Sequence, residues 1–129
     1  MAIEVRRPAD GQTHASAYAP HGRHLLLTLG GCPAALLDDQ PALAALVRRA
    51  AMATGATVLQ VVSRRFAPQG VTALALLAES HASLHTYPEA GVAFWDCFTC
   101  GAACDPARSV AVLVAALRPA TLTRQEIAR

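Results

Sequence analysis

A chain of 129 residues has the length of a single domain and can bury most of the surface it exposes when unfolded. Its 53% hydrophobic content against 16% charged residues is high for a small soluble domain and suggests a further buried face, such as a subunit interface. The net charge of +2, without a basic run or aromatic-interleaved stripe, argues against nucleic-acid binding, and the absence of any lysine among the 11 basic residues excludes a lysine Schiff base with pyridoxal phosphate, a lysine aldolase or a P-loop.

Residues 1–21, with Pro8, Gly11 and Pro20 and few large apolar side chains, read as a tail, and one domain is expected over 22–129. His24 to Leu29 is a short strand, broken at Pro33. The stretch DDQPALAALVRRAAMATG predicts a helix. Asp39 or Gln40 caps it, Pro41 suits its first turn and Gly55 its C-terminal stop. Leu43, Leu46, Val47 and Ala50 fall on one face, with Arg48 and Arg49 off it.

Strands are predicted over 57–66, 71–78, 83–87 and 92–99, with turns at 68–70 and 88–91. Asp105-Pro106 opens a second helix, on which Val110, Leu113, Val114 and Leu117 share a face. Pro119 stops it, and 121–127 reads as a last strand. The order β-α-β-β-β-β-α-β, with short turns between successive strands, predicts an α/β (α+β) two-layer sandwich: an antiparallel sheet with helices packed on one face.

Three of the four cysteines, Cys97, Cys100 and Cys104, cluster, and Cys32 stands apart. The first apolar run, Leu25 to Leu37, starts late, contains Gly30, Gly31 and Pro33, and is too short for a membrane span. A cytoplasmic protein with reduced thiols is expected. Cys97-x-x-Cys100 and His81-x-x-x-His85 together supply four zinc-type ligands. Yet Cys97 and Cys100 have opposite parity on an extended strand and would face apart, so no metal site is expected. Ser80 lies between Glu79 and His81 without the flanking glycines of a hydrolase elbow. Glu79 follows an apolar run, so its carboxylate is expected to be shielded from solvent.

The stretch ESHASLHTYPEAGVAFWDCFTCG, residues 79–101, resembles the processing region of the S-adenosylmethionine decarboxylases of bacteria and archaea, which are small, self-cleaving, pyruvoyl-dependent enzymes. The resemblance continues through GRHLLL at 22–27, GAT at 55–57 and RRFAPQGVTA at 64–73. It implies that the Ser80 hydroxyl attacks the Glu79 carbonyl carbon and turns the peptide bond into an ester. β-Elimination would then release a β chain, 1–79, and leave an α chain, 80–129, that begins with a pyruvoyl group derived from Ser80.

By the same resemblance, His85 removes the serine α-proton, and Thr72 stands where the family usually has a serine that assists processing. Cys100 is the acid that protonates the product. Phe66 stacks on adenine, Tyr87 faces the purine or the sulfonium, and Glu89 binds the ribose hydroxyls. No family role carries over to Cys97 or Cys104, which are expected to be structural.

The chemistry is coherent without lysine. A pyruvoyl carbonyl forms a Schiff base with the substrate amine and withdraws electrons as pyridoxal phosphate would, so neither that cofactor nor a metal is needed. The implied reaction is decarboxylation of S-adenosylmethionine, supplying aminopropyl groups for spermidine. The alternative is decarboxylation of ornithine or arginine by a member of the same family. A third reading is an unprocessed binding or regulatory paralogue, which intact mass would distinguish. Family sites form between two protomers, so a homodimer of cleaved αβ units is expected.

Overall fold

Along the strand Val71–Leu77 every second side chain is buried, and this period of two sets the architecture. The computed structural model describes residues 20–129, so the expected tail lies outside the described residues except for Pro20 and His21. The strands are β1 (Gly22–Gly30), β2 (Val58–Arg65), β3 (Val71–Leu77), β4 (Ser80–Tyr87), β5 (Val92–Cys100) and β6 (Thr121–Ala128). They form one six-stranded sheet in the order β2-β3-β4-β5-β1-β6. Every neighbouring pair is antiparallel. The helices α1 (Gln40–Ala53) and α2 (Ser109–Leu117) pack together on one face.

The helix α1 forms as its sequence dictates. The Asp39 carboxylate accepts from the Ala42 N–H at 3.1 Å, satisfying one of the free donors of the first turn. Leu43, Leu46, Val47, Ala50 and Ala51 are buried, while Arg48 and Arg49 remain exposed. Against them lie Leu25, Leu27 and Leu29 of β1, Ala73, Ala75 and Leu77 of β3, Ala82 and Leu84 of β4, and Trp95 of β5. The buried Trp95 indole donates to Ser109 Oγ at 3.1 Å, and Ser109 donates to the Pro106 carbonyl at 2.7 Å. The core therefore takes a large apolar ring without leaving its N–H unpaired.

Beyond shifts of one or two residues at strand ends, three features differ from expectation. The β4 strand begins at Ser80 rather than Ser83, because Ser80 and His81 pair with Thr99 and Phe98 although their polarity does not suggest a strand. The α2 helix begins at Ser109, after a 3-10 turn over Pro106–Arg108 that Asp105 caps. Val114 is partly solvent-facing, so α2 buries Leu113 and Leu117 but not the full expected face.

Among the described residues no helix covers the other side of the sheet. Val62, Leu74, Leu76 and Phe94 stand there 44–54% exposed, beside His81, His85 and Tyr87. Among the described residues no helix is long and apolar enough to cross a membrane.

Candidate active site

The β3–β4 turn is Ala78-Glu79, and α1 braces it through the segment that follows the helix. The Ala78 N–H donates to the Thr57 carbonyl at 3.0 Å. The Glu79 side chain is 5% exposed, and its carboxylate accepts from the Thr57 N–H at 2.6 and 3.1 Å. The expected shielding of Glu79 is thus observed. The Glu79 carbonyl oxygen accepts from the Cys100 N–H at 3.0 Å.

Ser80 has φ +146°, a region that side chains other than glycine's rarely enter. Such a conformation costs about 1–3 kcal/mol and persists only where the surroundings impose it. The Glu79–Ser80 peptide bond is therefore gripped at the preceding side chain, polarised at its carbonyl and strained at its serine.

The residue paired with Ser80 is Thr99, which is buried with its Oγ1 unpartnered among the described residues. Gly22 lies against the Thr99 backbone: a Cβ there would collide with the Thr99 carbonyl oxygen, so only glycine lets β1 close on this end of β5. Cys100 follows Thr99 with the parity of the uncovered face and is half-buried. Cys97 points into the core, where burial, reinforced by the nearby Asp96 and Cys104, pushes its pKa up to about 12. The two thiols face apart as their parity requires, so the Cys-x-x-Cys pair does not converge. Burial also raises the pKa of Cys32 and of Cys104.

At the opposite end of the sheet, Thr72 and His85 are cross-strand partners joined by a 2.6 Å hydrogen bond between Oγ1 and Nδ1. Phe66 follows β2 at this end and is exposed. Tyr87 ends β4 and meets Phe94 edge-on at 5.8 Å. Glu89 sits in the 3-10 turn Pro88–Ala90, closed by Gly91 at φ +65°.

The expected site residues thus fall into two groups. Glu79, Ser80 and Cys100 occupy one end of the sheet. Phe66, Thr72, His85, Tyr87 and Glu89 occupy the other. Five positions of extended strand separate His85 from Ser80, about 17 Å at the rise of a β-strand.

A third group was not anticipated. The Asp96 carboxylate on β5 lies 2.7 Å from His24 Nε2 on β1 and 3.1 Å from His81 Nε2 on β4, and it also accepts from the Ser83 hydroxyl. Burial works to raise the Asp96 pKa, but the hydrogen bonds from Ser83, His24 and His81 prevail and hold it below the usual carboxylate range. A groove of ≈ 330 Å³ on this face is lined by Ser83, His85, Phe94 and Asp96, among others. His81, Ser83 and Asp96 share the parity of the uncovered face, but the sequence carries no signal that sets their strands and β1 side by side.

The family model described as S-adenosylmethionine decarboxylase matches residues 23–129. The chain is 44% identical over 112 residues to the S-adenosylmethionine decarboxylase proenzyme of Brevibacillus brevis, covering 87% of this chain and 84% of that protein. It is 42% identical over 108 residues to the proenzyme of the same name from Methanococcus maripaludis, covering 84% and 88%. The crystal structure of the adenosylmethionine decarboxylase of Aquifex aeolicus superposes with a TM-score of 0.76 at 32% identity, over 82% of this chain and 88% of that one. Fold and relatives define an enzyme of the small α/β-sandwich decarboxylase class. The chain belongs to the S-adenosylmethionine decarboxylase family.

Proposed function

We propose that this chain is a proenzyme that cuts itself between Glu79 and Ser80 and then, through the pyruvoyl group so made, decarboxylates S-adenosylmethionine. The observation that carries the reading is the Glu79–Ser80 peptide bond, fixed by a buried carboxylate and strained at φ +146°. Attack of the Ser80 hydroxyl on the Glu79 carbonyl carbon develops negative charge on the oxygen that the Cys100 N–H already contacts. Breaking the C–N bond then frees the torsion that holds the strain. The products are chains 1–79 and 80–129.

The substrate comes from the names of the relatives, which favour S-adenosylmethionine over ornithine or arginine. Once made, the pyruvoyl group at position 80 supplies the carbonyl sink for the electrons left when carbon dioxide departs, a task for which this lysine-free chain has no means of anchoring pyridoxal phosphate. Cys100, next to the residue paired with Ser80, delivers the proton to the product carbon. The reading calls for no metal.

Thr72 and His85 assist processing, and Phe66, Tyr87 and Glu89 hold the nucleoside. All five lie at the far end of the sheet from their own Ser80. The reading therefore pairs two chains through the uncovered apolar face, so that these residues serve Ser80 of the partner subunit. The four thiols are unpaired, as they would stay in the cytoplasm.

The test is carbon dioxide release from carboxyl-labelled S-adenosylmethionine, with labelled ornithine and arginine in parallel. Release from the nucleoside alone is expected. Release from a basic amino acid alone would keep Ser80 and Cys100 in their roles and remove those of Phe66, Tyr87 and Glu89. In the same assay Cys100→Ala is expected to cleave itself, since its backbone N–H remains, yet to lose about 10²-fold or more of turnover. Undiminished release would refute the acid role.

A further inference from the structure

We infer that His81 is the base that takes the Ser80 hydroxyl proton during self-cleavage, with Asp96 and His24 as positioning residues that fix its tautomer. The inference rests on the reading of Glu79–Ser80 as the bond that is cut.

The hydrogen-bond inventory fixes the protons. An ionised carboxylate only accepts, so the imidazole nitrogens facing Asp96 Oδ2, His81 Nε2 at 3.1 Å and His24 Nε2 at 2.7 Å, each carry a hydrogen. Arginine only donates, and Arg129 lies 3.4 Å from His24 Nδ1, which fixes the same tautomer of His24 from its other side. In neutral His81 the lone pair must then sit on Nδ1. That atom is 3.2 Å from Ser80 Oγ, so the serine hydroxyl is the donor. The arrangement engages both Nε2 atoms with Asp96. It leaves one nitrogen free to accept, aimed at the hydroxyl that must lose a proton.

The order hydroxyl, imidazole, carboxylate is that of a hydrolytic triad, but the electrophile differs. The carbonyl carbon within reach of Ser80 Oγ is that of Glu79, through a five-membered ring, so the nucleophile turns on its own chain. As the Oγ–C bond forms, the hydroxyl proton passes to His81 Nδ1, and the charge on the imidazole is met by Asp96. The adduct collapses with cleavage of the C–N bond, and the same proton passes from Nδ1 to the departing Ser80 nitrogen. The ester forms, a free amine is left and His81 returns to neutral, with no outside reactant consumed. His85 cannot do this for its own Ser80 from about 17 Å along the strand.

The experiment follows the full chain made by cell-free translation, with cleavage read by intact mass over time. His81→Ala is expected to slow cleavage about 10²-fold, the scale of general-base catalysis. Added imidazole should restore much of the rate, which no structural role of His81 predicts. His81→Gln keeps bulk and polarity without a basic nitrogen, so it should be equally slow and guards against a fold defect in the alanine variant. Asp96→Asn should slow the parent about tenfold yet cost nothing further in the His81→Ala background, because it acts through His81. Parental rates in both His81 variants, slow His81→Ala that imidazole does not rescue, or an additive Asp96→Asn effect each overturn the inference. A parent chain that never cleaves overturns instead the reading on which it rests.

Discussion

Replacing Ser80 with Ala is expected to leave the chain whole: one 129-residue species by intact mass after prolonged incubation, and no carbon dioxide released above background. The loss should be complete because one oxygen performs two tasks. Ser80 Oγ is the nucleophile that cuts the chain, and the residue it leaves behind is the source of the pyruvoyl group. Without the hydroxyl, the strain at φ +146° and the polarised Glu79 carbonyl have nothing to act on. Loss of fold is not an alternative explanation. The serine hydroxyl makes one exposed contact, to His81, so its removal should change stability by less than about 1 kcal/mol. Unfolding followed by circular dichroism should give a melting temperature within a few degrees of the parent. Two fragments of residues 1–79 and 80–129 from Ser80→Ala would sink the processing reading outright.

The architecture was legible in the sequence where local chemistry decides it. Asp39, Pro41 and Gly55 mark both ends of α1, and the period of its apolar residues names the face it buries. The alternation Val71, Ala73, Ala75, Leu77 could be read as a strand, but from sequence it is also a nearly continuous apolar run that says little about which face is which. What could not be read was distance. Glu79, Ser80 and His85 look like one cluster because they are close in sequence, yet a strand carries them apart at more than 3 Å per residue. The Asp96 group was hidden for the opposite reason. His24, His81 and Asp96 are far apart in the chain and meet only because β1 joins the sheet beside β5 rather than beside β2. Neither parity nor spacing encodes that strand order. Thr99 is similar: its unpartnered oxygen follows from its burial in the fold, and no motif announces it.

A mixture of two inactive chains should recover a working site. His85→Ala alone is expected to stall after the first step, as an uncleaved chain that hydroxylamine cuts between residues 79 and 80, because the ester forms but its serine α-proton is not removed. Ser80→Ala alone does not react. Co-expressed with different tags, the two should pair at random, giving about half mixed dimers. In a mixed dimer one shared site combines Ser80 of the His85→Ala chain with His85 of the Ser80→Ala chain. The other site lacks both groups. The His85→Ala chain should therefore appear cleaved, in an amount that tracks the mixed fraction, while the Ser80→Ala chain stays whole. A site built within one chain predicts cleavage of neither. It would also require His85 to cross about 17 Å of the strand it shares with Ser80, which antiparallel pairing on both sides of β4 forbids without tearing the sheet. Cleavage of the His85→Ala chain only in the mixture would thus fix the dimer, its shared site and the place of His85 in the elimination step at once.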